Sequence, residues 1–186
     1  MTGSGRRGWA NPGFDDAEWA EVTVPGHWRR YPGFASCDGP VAYRVTFDGP
    51  SARPAERWWL TFEGIFYRSR TWLDGTYLGA TEGYFAPHTF EVTDHLAARR
   101  QHTLAVLVDC PPVSDPAAKE AITGVFQHWD CLDPAWNPGG IWRPVRLDRS
   151  GRVRITRLRA LCPEAGPARA RPVVVAEVDA GAGGAA

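Results

Sequence analysis

Between Trp58 and Leu96 the apolar residues recur at every second position, and turn residues break each run before it becomes long. Trp58, Leu60 and Phe62 share one face of an extended segment, while Thr61 and Glu63 take the other. That is the period-two pattern of a half-buried strand. Asp74-Gly75 separates Trp72-Leu73 from Tyr77-Leu78. Asp-Gly between apolar runs predicts a tight hairpin, because both residues accept the positive φ of a type I′ turn. A second turn at Glu82-Gly83 leads on to Phe85, Phe90 and Val92. The stretch reads as four short strands in a meander, with the rest of the chain built to pack on it.

The same alternation appears on both sides. Val41, Tyr43, Val45 and Phe47 alternate with Ala42, Arg44 and Thr46, and Leu104, Val106 and Val108 alternate with Thr103, Ala105 and Leu107. Ile141, Arg143, Val145 and Leu147 mark another strand, ending at Asp148. Little helix is expected: one turn at Thr93 to Leu96, capped by Thr93 or Asp94, and a short helix from Asp115 to Ala121 with Pro116 in its first turn. Short strands with turn signals at roughly 8–12-residue spacing predict an all-β sandwich.

Several blocks together carry a family resemblance. Phe62-Glu63-Gly64, Trp72-Leu73-Asp74-Gly75, Gly83-Tyr84 and Glu91-Val92-Thr93 follow one another as in the N-terminal sugar-binding domain of glycoside hydrolase family 2. That family holds the β-galactosidases, β-glucuronidases and β-mannosidases. Asp74 stands where the family has Asn, and Glu91 where it has Asp; both keep the turn or surface role. Pro138-Gly139-Gly140-Ile141-Trp142-Arg143-Pro144-Val145 is similar to the family's Gly-Gly-Ile-Trp-Arg-Pro-Val strand. Phe14-Asp15-Asp16 to Trp28, with Pro25 between, resembles its lead-in segment.

The resemblance covers about residues 9 to 160 and implies a jelly-roll (galactose-binding-like) sandwich. The expected organisation is a flexible lead-in at 1–8, the jelly roll at 9–149, and a truncated immunoglobulin-like start with a flexible tail at 150–186. Val153 to Leu161 and Val173 to Val178 would be the first two strands of that second sandwich. The family also places a strand ahead of Trp9, and without it a sheet edge is expected to stand unpaired.

Composition narrows the function. The 186 residues carry 21 acidic and 21 basic side chains, and 44% of them are hydrophobic. A balanced charge gives no electrostatic case for nucleic acid or an anionic membrane. Lys119 is the only lysine, an arginine bias that suggests a GC-rich bacterial coding sequence. No apolar run reaches the roughly 20 residues of a membrane span. The first eight residues lack the hydrophobic core of a signal peptide, so a cytoplasmic location is expected. Cys37, Cys110, Cys131 and Cys162 form no C-x-x-C pair and are read as buried free thiols. His128 and Cys131 are two potential ligands, which do not make a zinc site. No metal and no cofactor is expected.

Glycoside hydrolysis needs two carboxyl groups held about 5–10 Å apart. In family 2 these are glutamates of a (β/α)₈ barrel, which alone takes about 250 residues. Glu56, Glu63, Glu82 and Glu91 read as solvated strand and turn residues. No catalytic residue is assigned, and the fragment is expected to be inactive by itself within a retaining β-glycosidase.

The long connection from Pro111 to Pro138 is different. Loops of this length are functional or disordered, and its many aromatic residues argue against disorder. The resemblance implies that this loop reaches over the barrel mouth and lends a carboxylate to the sugar. Trp129-Asp130 resembles the mannosidase branch, whereas Asp133 lies nearer the position used by galactosidases and glucuronidases. His128, Trp129, Asp130, Asp133, Trp136 and Asn137 form the candidate substrate-binding set. A carboxylate accepts strong hydrogen bonds from vicinal hydroxyls, and a flanking aromatic face stacks on a pyranose. Packing of Trp129 and Trp136 onto the sandwich, with the aspartates as turn caps, is the simpler alternative.

Two further functions stay open: an autonomous carbohydrate-binding module, and a structural or interaction sandwich without sugar contact. In the first, Trp28, Tyr31, Phe34, Tyr67, Tyr84 and Phe85 would line a groove, although most of these aromatic residues suit a core. The expected partners are a β-glycoside bound through the complete enzyme and the immunoglobulin-like and barrel domains of the parent.

Overall fold

The computed structural model describes residues 8–51, 55–111 and 137–181. Among these residues nine strands and one short α-helix follow in order: β1 Val41–Asp48, β2 Arg57–Phe62, β3 Arg68–Leu73, β4 Thr76–Glu82, β5 His88–Glu91, α1 Thr93–Ala97, β6 Gln101–Asp109, β7 Val145–Ser150, β8 Val153–Ala165 and β9 Ala170–Ala180. They make an antiparallel four-stranded sheet ordered β1-β6-β3-β4, a three-stranded sheet ordered β5-β2-β7, and a separate β8-β9 ribbon. Among the described residues the chain is all-β apart from α1 and three single 3-10 turns, in keeping with the expected all-β class.

The first two sheets face each other over one core. Phe62 of β2, Leu73 of β3, and Leu104, Val106 and Val108 of β6 point into it. Trp28, Ile65, Val92 and Ile141 enter it from the connecting segments. A smaller cluster of Ala10, Trp72 and Ala105 covers the outer face of the four-stranded sheet, where Trp9 meets Trp72 edge-on at 5.2 Å.

The hairpin forms as its residues dictate. Asp74 has φ 53° and Gly75 φ 81°, so both central positions take the left-handed region that a type I′ turn needs. Asp74 does more than turn the chain. Its carboxylate accepts from the Thr103 N–H at 2.8 Å and lies 2.7 Å from Nδ1 of His102, which is fully buried.

Four details depart from the expected pattern. The stretch from Trp58 to Leu96 is not one meander: β3 and β4 pair with each other, but β2 and β5 belong to the opposite sheet. The crossing occurs at Ile65 and Phe66, whose burial holds the connection across the core. The second face of β2 is dry as well, with Trp59 and Thr61 only 7% and 5% exposed. Arg57 and Arg154 lie over the Trp59 ring, and the Thr61 hydroxyl pairs with that of Thr89.

Helix α1 is preceded by Val92 and has no side-chain cap. The Thr93 hydroxyl instead accepts from the Trp58 N–H and donates to Glu91. The last sandwich strand begins at Val145 rather than Ile141, because Pro144 has no N–H to give a ladder.

The sheet edges are β4 and β5 and, on either side of one cleft, β1 and β7. Val24 and Val45 beside them remain 37% and 52% exposed, and Val22, Val24, Val45, Phe62 and Val145 help to line an apolar cleft of about 340 Å³. Among the described residues, no helix is long and apolar enough to cross a membrane.

Candidate functional site

The long connection leaves the sandwich after Cys110 and returns at Asn137, and the structure shows how those two stems are joined. The Asn137 side-chain amide donates to the Cys110 carbonyl at 2.7 Å, while its oxygen accepts from the Gly139 N–H at 2.8 Å. Asn137 is 6% exposed. One carboxamide thus satisfies both stems, as a buried polar group requires. Its NH₂ also approaches Asp38 at 3.4 Å.

Next along the chain, Gly139 lies flat against the Trp28 indole, where any Cβ would overlap the ring. Gly140 has φ 141°, and a Cβ there would sit 2.6 Å from the Gly26 carbonyl oxygen. The two glycines allow the returning stem to bridge Phe66 by reciprocal backbone bonds of 2.8 and 3.0 Å. Trp28 and Gly26 also donate to the Gly139 and Ile141 carbonyls at 2.9 and 2.8 Å. The Gly-Gly-Ile motif is therefore the clamp at the loop's base.

His27 lies beside this clamp, with Nδ1 against the Pro138 carbonyl. A carbonyl only accepts, so Nδ1 carries the proton. Burial holds the imidazole below its ordinary range, with Arg30 acting in the same direction, and the neutral form is favoured. Burial likewise pushes the Cys110 thiol up to about 12, which makes it a packing residue rather than a nucleophile.

Around the clamp stand an ion pair and an aromatic cluster. Asp38, with its side chain 50% exposed, is held at 2.5 Å by Arg29. Sequence reasoning missed this pair, because neither residue belongs to a recognisable motif. An aromatic cluster flanks it: Tyr84 stacks on Phe66 at 4.8 Å, Phe85 meets Trp142 edge-on at 5.8 Å, and Arg143 lies 4.5 Å from the Trp142 ring centre. Of the six residues considered for an aromatic groove, Trp28 is in the core and only Phe85, at 47%, is a large exposed hydrophobic. The Tyr31 hydroxyl is engaged with the Thr23 backbone.

Asn137 is the one member of the candidate substrate-binding set within the described residues, and its amide faces the stems. His128, Trp129, Asp130, Asp133 and Trp136 lie outside them, as do Cys131 and the expected helix at Asp115 to Ala121. Each of the four glutamates set aside as surface residues pairs with an arginine: Glu56 with Arg149, Glu63 with Arg146, Glu82 with Arg68 and Glu91 with Arg57. Cys37, Cys110 and Cys162 are free thiols; only Cys110 of the three is buried as expected, Cys37 being half-buried and Cys162 exposed. Among the described residues, no three His, Cys, Asp or Glu side chains gather as a metal site.

Two antiparallel sheets over one core define a galactose-binding-like sandwich. Residues 37–143 match the profile of the glycosyl hydrolase 2 galactose-binding domain-like family, and the chain belongs to that family. A β-galactosidase of Psychromonas ingrahamii is 28% identical over 116 residues, which are 52% of this chain and 11% of that protein. A β-mannosidase B of Aspergillus clavatus is 28% identical over 127 residues, 57% of this chain and 15% of the other. The crystal structure of a Bacteroides uniformis β-glucuronidase aligns over 96% of this chain and 21% of its own, with TM-score 0.72 and 21% identity. The chain therefore spans only a small part of the length of these relatives.

Proposed function

We propose that this chain is the non-catalytic sugar-binding-type domain at the start of a family 2 retaining β-glycosidase. Residues 9–149 form the jelly roll, and 150–186 open an immunoglobulin-like domain. The domain supports the catalytic barrel, and its loop at 112–136 presents Asp130 or Asp133 to a hydroxyl of the bound β-glycoside. The observation that supports this most directly is the clamp made by Asn137, Cys110, Gly139 and Trp28. It fixes both stems of a 25-residue excursion on a rigid scaffold, the arrangement in which loops carry function.

The test uses the complete enzyme. Asp130→Asn and Asp133→Asn are made separately, and kcat/KM is measured with melting temperature. A hydrogen bond to a charged group contributes roughly 1.5–3 kcal/mol. The substitution that touches the sugar should lower kcat/KM about 10- to 150-fold and leave melting unchanged. Two substitutions that lower the melting temperature with catalysis intact would make both residues turn caps. The isolated chain should not hydrolyse aryl β-glycosides.

A second reading, an autonomous carbohydrate-binding module, draws support from the exposed Phe85 beside Tyr84 and Trp142. Titrating the isolated chain with β-linked oligosaccharides and following tryptophan fluorescence separates the two. Saturable binding that Phe85→Ala abolishes would favour the module.

A further inference from the structure

The β8-β9 ribbon raises a question of attachment. It forms its own sheet, and Ile155, Leu158 and Val174 remain 57%, 62% and 63% exposed. Among the described residues, none of its side chains joins either buried apolar cluster. Polar contacts reach across instead. Arg57, at the start of β2, has its side chain 12% exposed. Its Nε and Nη2 donate to the two oxygens of Glu91 at 2.9 and 2.7 Å, and Nη2 donates to Asp179 of β9 at 2.9 Å. One guanidinium thus joins a carboxylate of the sandwich to a carboxylate of the ribbon.

The other ribbon strand makes its own contact. Arg154 of β8 lies 4.0 Å from the centre of the Trp59 ring, and Arg57 lies 4.6 Å from it. The Trp59 indole N–H donates to Ser150 at the end of β7. The Gly181 N–H donates to the Arg152 carbonyl at 2.9 Å, which continues the ribbon's own ladder one pair past Val153 and Ala180. A polar cleft of about 540 Å³ opens beside these groups, lined by Glu56, Asp94 and Arg152 among others.

We propose that Arg57, Glu91 and Trp59 form a docking surface for the ribbon, an ionic clamp that sets the direction in which the second module leaves the sandwich. Single exposed ion pairs contribute little. Here a forked, largely buried guanidinium engages two carboxylates, and a tryptophan face receives two cations, so the contacts reinforce one another. Because the fastening is electrostatic, salt weakens it, whereas an apolar interface would be strengthened.

Trypsin reports the state of the clamp, since Arg149, Arg152 and Arg154 lie along the junction. In the chain as it stands, Asp179→Asn removes the ribbon carboxylate that meets Arg57 without altering the sandwich. Cleavage at the junction should become about three- to tenfold faster, with the sandwich's melting temperature unchanged. Arg57→Lys keeps the charge but loses the fork, and its cleavage rate should fall between the two. Raising NaCl to ~0.5 M should speed cleavage of the unaltered chain and hardly affect Asp179→Asn. Equal cleavage of the Asp179→Asn and unaltered chains at low salt, or a salt-independent rate in the unaltered chain, would overturn the proposal.

Discussion

Asp74 carries two duties that pull on different parts of the chain. Its backbone holds the hairpin at positive φ, while its carboxylate receives the Thr103 N–H and faces His102. Asp74→Asn keeps the turn and an acceptor for Thr103, and should cost roughly 1 kcal/mol in denaturant unfolding. Asp74→Ala also leaves the buried His102 and Thr103 without their acceptor and should cost roughly 2–4 kcal/mol. His27 makes a second prediction. Its folded-state pKa is depressed by burial, so folding favours the neutral ring. The stability this contributes is present above the ordinary value near 6.5 and is lost as pH falls below it. Unfolding free energies at pH 7.5 and 5.5 should differ, and His27→Asn should flatten that part of the profile. The turn at Asp74 was legible from sequence because its cause lies within two residues. The partnership with His102 was not, since 28 residues separate them and only the sheet brings them together.

Among the elements, alternation identified most of the strands of the sandwich but not their neighbours. Period two says which face of β2 is apolar; it does not say that β2 pairs with β5 and β7 while β3 pairs with β4 and β6. That assignment follows from Ile65 and Phe66, whose burial carries the chain across the core. Pro144 similarly trimmed a strand that alternation would have begun at Ile141. The ribbon was expected from its apolar spacing, and both strands are present at 13 and 11 residues. Its exposed Val153, Ile155, Leu158, Leu161 and Val178 make it the part of the chain with least apolar support. Removing residues 151–186 should leave the two-sheet sandwich with a nearly unchanged thermal midpoint and reduce self-association, because an exposed two-stranded ribbon is marginal in water. Calorimetry and light scattering of the shortened chain check both parts. A large fall in midpoint would mean that the ribbon contributes to the core.

At the level of the whole molecule, the sequence blocks that identified the family are also those that build the end of the sandwich. Phe62-Glu63-Gly64 and Gly139-Gly140-Ile141-Trp142 meet there, with Gly64 packed beneath the Trp142 ring. The carboxylates proposed to meet the sugar lie between them in sequence, outside the described residues, and rest on resemblance alone. The stems have a consequence of their own. Because the departing and returning strands are fixed to each other by one carboxamide and two glycines, the sandwich is indifferent to what is threaded between them. Doubling the intervening length would add only about 0.6 kcal/mol of closure entropy. The position acts as a socket: segments of different length and chemistry can be exchanged there by recombination while the fold beneath them is left as it was, and under the role proposed above a new sugar preference would need no new scaffold.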